Sequence, residues 1–336
     1  MQALIANYDG NSPFKPWPAL AAKAFQLNIG AGKTIFYYDS LPGNVNSGNK
    51  TSTSEIEASS PPVFVLIHGL GDEADSWRHI IPLLSGRGFR TLAIDLPGFG
   101  RSISTGRISV KSHAAAVIKL IEAVLKIPHT NLSHEAATGC CAESPVFLAG
   151  NSLGALVAEA AAIKRPDLVQ GIVLIDGSIP GGPENPGPIA LAKLLFNRKW
   201  YRAYRGKPHD AWASLYPYYA DLDSMSSEDK EFLKERVIAR VESSSQEKAF
   251  FATQRSLIRT FIFSSSSLAR KIRHNPGKIL LIWGKKDRIM PLSSAEKIRS
   301  IRQDIELKVI SGAGHLPHQE KPEETARLMA EFADFC

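Results

Sequence analysis

The chain has 336 residues, 44% of them hydrophobic and 22% charged, and a formal net charge of +7. That composition excludes a fibre or a wholly disordered chain, and the length accommodates one large α/β domain or a domain carrying an insertion. The 40 lysines and arginines are spread along the chain with no nucleic-acid module among them, so a water-facing basic surface is expected and a nucleic-acid partner is not.

No stretch approaches the roughly 20 apolar residues of a membrane span, and the first residues lack a basic segment followed by an apolar run. Cys140, Cys141 and Cys336 are spaced neither as a disulfide framework nor as metal ligands. A reducing, cytoplasmic setting is therefore expected, with no cofactor, no metal and no integral membrane association.

In chain order, residues 25–30 and 33–39 (FQLNIG and KTIFYYD) predict an opening strand pair joined by a glycine turn. The polar tract 41–60 cannot bury anything and predicts a surface loop. From residue 61 apolar strands alternate with helices: strands at 63–67 and 91–94, helices at 76–85 and 112–125, a second polar loop at 129–143, a strand at 145–149, a helix at 153–164 and a strand at 171–175. That rhythm predicts a parallel sheet covered on both faces. The segment GSIPGGPENPGP, from Gly177, breaks it. Nearly a hundred mostly helical, aromatic-rich residues follow, with polar breaks near 221–228 and 264–267. The basic residues Arg198, Lys199, Arg202, Arg205 and Lys207 lie among aromatics here and read chiefly as a solvated face. Strands at 278–283 and 306–310 and helices at 293–301 and 322–335 close the sheet. The expected domains are a core of residues 1–177 and 271–336 and a helical cap of 178–270, lying over the carboxyl edge where open α/β sheets bind ligands.

Gly150-Asn151-Ser152-Leu153-Gly154 stands at a strand-to-helix corner. The small flanking residues permit a turn tight enough to point the central hydroxyl outward, which makes Ser152 a candidate nucleophile. A serine needs a base, and the base needs a partner that fixes its tautomer. His315 follows the strand 306–310 on a glycine-rich turn, and Asp287 follows the strand 278–283. His318, His113 and His134 are rivals, the last two read as surface histidines. Asp176, at the end of VLIDGS, is the alternative acid. Asp95 in DLPGFGRS reads as a structural carboxylate bracing its turn. For a developing oxyanion, the backbone N–H groups of Leu70, in His68-Gly69-Leu70-Gly71, and of Leu153 are the candidate donors, with His68 bracing that loop.

HGLG, DLPGFGRS, GNSLGA, WGKKDRIMP and GAGHLPHQEKPEE, in this order, resemble the α/β-hydrolase superfamily over residues 34–335. The resemblance is to the cap-containing branch of meta-cleavage-product hydrolases, haloperoxidase-like esterases and epoxide hydrolases. It implies an α/β-hydrolase fold with a mostly parallel sheet and a helical cap inserted after the sixth strand. It also implies Ser152, Asp287 and His315 as catalytic residues, and Leu70 and Leu153 as the oxyanion hole. Serine rather than aspartate at the elbow speaks against epoxide hydrolase chemistry. The expected activity is hydrolysis of an ester, thioester, lactone or activated carbon–carbon bond of a mostly apolar small molecule. A lyase, cyclase or cofactor-free oxygenase on the same scaffold, and a receptor-like binding protein, are the alternatives. The long loops 41–60 and 129–143 and the cap sequence depart from the pattern.

Overall fold

The computed structural model describes residues 4–10, 12–30, 32–41, 61–126, 144–177, 197–273 and 277–334. The three cysteines, His134 and most of the polar tracts expected at 41–60, 129–143 and 177–188 lie outside the described residues.

Nine strands form one sheet: β1 (Leu4–Asn7), β2 (Ala24–Asn28), β3 (Thr34–Asp39), β4 (Val63–Ile67), β5 (Arg90–Ile94), β6 (Val146–Asn151), β7 (Gly171–Ile175), β8 (Lys278–Gly284) and β9 (Glu306–Ile310). Their order is β1-β2-β3-β5-β4-β6-β7-β8-β9. The first three and the β3–β5 pair run antiparallel, and every pair from β5 to β9 runs parallel. The parallel sheet is the one the strand and helix rhythm implied, and the whole is the α/β-hydrolase fold that the motif resemblance implied. β1 was not foreseen, because LIAN is too short for a periodic signal. It precedes the six strands counted in the sequence, so the helical insertion expected after the sixth of them follows β7 here.

The strands read as continuous apolar runs because both faces are covered. In β4 all five residues are buried. Val63, Val65 and Ile67 enter one core with α2 (Val110–Val124), α3 (Leu153–Lys164) and α8 (Leu292–Ile301). Phe64 and Leu66 enter the other with α1 (Ile80–Ser85) and α10 (Pro322–Asp334). Side chains alternate across a strand, so one pentapeptide serves both layers.

Three local expectations change. Residues 76–85 split into a short 3-10 turn, Ala74–Trp77, and α1. The serines 264–267 do not break their helix: α7 runs unbroken over Ser244–Arg273. Serine costs only a few tenths of a kcal/mol against alanine in a helix, far from the roughly 3 kcal/mol of proline. His113 is not at the surface. It lies fully buried on the inner stripe of α2 with Val110, Ala114 and Val117, its Nε2 3.0 Å from Thr253 Oγ1 of α7.

Between β7 and β8 come α4 (Arg198–Arg202), α5 (Pro208–Ala213), α6 (Ser227–Glu242) and α7. They hold small clusters of their own, one around Tyr201, Ala211, Val237, Val241 and Phe251. α6 is pinned to the sheet layer by Asp229 on Arg78 at 2.6 Å and Arg240 on Asp72 at 2.6 Å. Arg198 and Arg202 of α4 and Arg205 just beyond it keep much of their side chains in solvent, and all three bind the buried Glu247 carboxylate at 2.8–3.0 Å.

Candidate active site

β4 is the strand from which the chain turns to β5 on one side and β6 on the other, so the loops after β4 and β6 flank the switch point of the sheet. Ser152 closes β6. Its backbone has φ 54° and ψ −114°, a strained conformation for a residue with a side chain. The two flanking glycines allow the corner to close. A Cβ on Gly150 would lie 2.2 Å from the Gly154 carbonyl carbon, and one on Gly154 would lie 2.1 Å from the Ile67 carbonyl oxygen of β4. No other residue fits where helix and strands approach so closely.

His315 lies on the turn after β9 and is 2% exposed. Its Nδ1 is 2.8 Å from Asp287 Oδ2, on the turn after β8, and the Asp287 side chain is fully buried. Asp287 Oδ1 also accepts the N–H groups of Ile289 (2.7 Å) and Met290 (2.9 Å). Burial works against its charge, but the His315 ring and these bonds outweigh burial and hold the carboxyl below the usual range. With Nδ1 engaged, Nε2 is the ring nitrogen left for chemistry. Ser152 and His315 line one cavity, with no hydrogen bond between them among the described residues. Such bonds are often long before a substrate is bound.

Asp176 ends β7, also with a positive φ of 45°. It does not take the Nδ1 of His315. Its Oδ1 accepts the Gly284 N–H at 2.9 Å instead. Burial and then the Asp287 charge push its carboxyl well above the usual range. Asp176, Asp287 and His315 have polar atoms within 4.8 Å of one another. Within that trio the 2.8 Å contact of an imidazole nitrogen with a carboxylate oxygen has the length of an N–H···O hydrogen bond.

Leu70 and Leu153 stand where the candidate oxyanion donors were expected, in the loop after β4 and at the first turn of α3. Among the described residues neither N–H has a hydrogen-bond partner. Gly69 packs against Ser152 and Asn151, and Gly71 against the Phe250 ring of α7. His68 is fully buried, its Nδ1 donating to Gly69 O (2.7 Å) and its Nε2 accepting from Leu96 N–H (2.9 Å), so it ties the β4 loop to the β5 loop. His318 is buried too, bonded to Ser76 Oγ at 2.8 Å and stacked near Trp77.

Three contributors went unforeseen. Asn151 Nδ2 donates to the carbonyls of His315 (3.0 Å) and Ile175 (3.2 Å), holding the histidine turn against the elbow. Tyr218 O, between α5 and α6, accepts the His315 N–H at 2.7 Å. Glu320 of α9 (Pro317–Glu320) binds the N–H groups of Gly314 and Ala220, both at 2.6 Å. A polar residue before a candidate nucleophile and a backbone carbonyl leave no pattern that local reading can find.

The cavity has a volume of about 250 Å³. Besides Ser152 and His315 its wall includes Leu70, Tyr201, Tyr204, Leu215, Tyr218, Val237 and Phe250, with Asp72 and Arg240 as its charged pair. No helix of the described residues is long and apolar enough to cross a membrane.

Sheet order, elbow and strand-end residues together define an α/β hydrolase. A family profile described as "Alpha/beta hydrolase family" matches residues 64–328, and the chain belongs to that family, as an enzyme of the hydrolase class. It is 26% identical over 275 residues to a pimeloyl-[acyl-carrier protein] methyl ester esterase of Methylococcus capsulatus, covering 81% of this chain and 94% of that protein. It is 23% identical over 278 residues to a 2-hydroxy-6-oxononadienedioate/2-hydroxy-6-oxononatrienedioate hydrolase of Burkholderia vietnamiensis, covering 80% and 85%. Among solved structures, a meta-cleavage product hydrolase from Pseudomonas fluorescens superposes with a TM-score of 0.65 at 21% identity, over 90% of this chain and 95% of the other.

Proposed function

We propose that this hydrolase is a serine enzyme working through an acyl-enzyme. The Nε2 of His315 takes the proton of Ser152 as the Oγ attacks a substrate carbonyl, and Asp287 stabilises the imidazolium that forms. The oxyanion leans on the N–H groups of Leu70 and Leu153, each donor worth about 3 kcal/mol of barrier. The imidazolium then protonates the leaving group, and a water, deprotonated by the same histidine, frees the acyl group from Ser152.

The observation that carries this reading is the 2.8 Å Asp287–His315 bond, in a cavity whose wall also holds Ser152 at a strained corner. The helices between β7 and β8 act as a cap, and their Tyr201, Tyr204, Val237 and Phe250 favour a mostly apolar acyl portion. At about 250 Å³ the cavity falls just below the usual range of about 300–1,000 Å³ and suits a small molecule. The bond cleaved is an ester, thioester, lactone or activated carbon–carbon bond. The named relatives include both an ester hydrolase and a hydrolase of 2-hydroxy-6-oxo dienedioates. Cysteine usage favours a cytoplasmic location.

The test is labelling by a fluorophosphonate and turnover of a short-chain nitrophenyl ester. Both are expected of the wild type and lost in Ser152→Ala, and retention of either in the variant overturns the assignment.

A further inference from the structure

We propose that Asp176 is kept as a neutral carboxylic acid that donates a hydrogen bond to Asp287 and so positions the partner of His315. The proposal rests on the reading of Asp287 and His315 as the catalytic pair.

Three strand ends create the arrangement. β7 and β8 pair in parallel with Ile175 opposite Ile282, which sets the residue after β7 beside the last residues of β8. The Asp176 N–H donates to Ile282 O at 3.0 Å, and its Oδ1 accepts the Gly284 N–H at 2.9 Å. Asp176 is thereby fastened by backbone and side chain to the strand whose turn carries Asp287. Its positive φ is the strain accepted to hold it there.

The donors are unequally shared. Asp287 receives three: His315 Nδ1, Ile289 N–H and Met290 N–H. Asp176 is fully buried and receives one, on Oδ1, while its Oδ2 has no partner among the described residues. Two carboxylates confined with a histidine within 4.8 Å, out of reach of water, cannot both be ionised. Asp287, with three donors, takes the charge. A proton on Asp176 Oδ2 then supplies a fourth donor to Asp287 and removes the only unsatisfied oxygen of Asp176. The charged or titratable groups facing Asp176 are Asp287 on the turn after β8, His315 on the turn after β9 and Glu320 of α9. Burial and the charges of Asp287 and Glu320 all favour the neutral acid. Asp176 touches no reacting atom in this scheme and acts by fixing the orientation of Asp287.

The experiment compares wild type, Asp176→Asn and Asp176→Leu. Asparagine keeps a donor where the acid has one and an acceptor for Gly284, whereas leucine keeps neither. On a nitrophenyl ester the leucine variant is expected to lose about 10²-fold in kcat with KM little changed, and the asparagine variant less than about tenfold. The infrared difference spectrum of wild type against Asp176→Asn at neutral pH is expected to contain the C=O stretch of a protonated carboxyl group, lost in the variant. A difference containing only ionised-carboxylate bands overturns the proposal, as does an asparagine variant as inactive as the leucine one. Should the leucine variant not fold, the spectrum and the asparagine variant still decide. Failure of fluorophosphonate to label wild-type Ser152 would sink the serine mechanism instead, and the infrared band reads Asp176 independently of it.

Discussion

Asp287 and His315 come from turns 28 residues apart in the chain, and their side chains meet at 2.8 Å with almost no exposure to solvent. A carboxylate partner at Nδ1 favours the tautomer with its proton there, which leaves Nε2 as the free nitrogen of a residue that lines the cavity.

Replacing Asp287 by Asn keeps the volume but presents an amide to a ring nitrogen that needs an acceptor. The histidine can then settle in the wrong tautomer. A fall in kcat of about 10⁴-fold is expected, with the fold intact. Steady-state kinetics on a nitrophenyl ester beside a thermal melt checks it: a loss below tenfold would remove Asp287 from the mechanism.

Arg101 holds a different pair of acids. Its Nη2 lies 2.6 Å from Asp75 and its Nε 2.8 Å from Asp95, with all three side chains 1% exposed or less and the guanidinium 3.8 Å over the Phe36 ring. Asp95 further accepts the N–H groups of Ala74 (2.6 Å) and Arg101 (2.7 Å), so it braces its turn as the sequence suggested. Arg101→Met strands two buried carboxylates and is expected to cost about 3–5 kcal/mol, measurable in urea unfolding. A cost under about 1 kcal/mol would mean that water reaches the acids.

Burial lowers the His113 ring to about 3, with the His68 ring adding to the effect, and burial likewise lowers His318 to about 3. Both are neutral in the fold, while in the unfolded chain they protonate near the ordinary value of about 6.5. Protons therefore favour the unfolded state: this stability is complete above about pH 6.5 and drains as pH falls from there toward 3, by about 1.4 kcal/mol per pH unit for each ring. Unfolding free energies between about pH 7.5 and 5 should show His113→Gln with a slope shallower by that amount. Parallel curves for variant and wild type would contradict the burial of a neutral ring.

The elbow, the strand ends and the alternation of strand and helix were legible in the sequence because each is local. Apolar runs, glycines and a turn residue lie within a few positions of one another, and the order of elements in an α/β chain follows from their succession. β1 was missed because four residues carry no periodicity, and the burial of His113 because α7, nearly 140 residues away, covers it. Two aspartates stood at strand ends, and the sequence favoured Asp287, whose turn neighbours that of His315, with Asp176 as the alternative. Which one meets His315 depends on the side-by-side register of β7, β8 and β9, which brings the turns after β8 and β9 together and turns Asp176 toward the Gly284 amide. The hold of Asn151 and Tyr218 on His315 arises in the same way, from backbone carbonyls that have no sequence signature. Sequence alone picked out the strand ends proposed to carry the chemistry; the packing of those ends decided which groups touch, because hydrogen-bond geometry is set across strands and not along them.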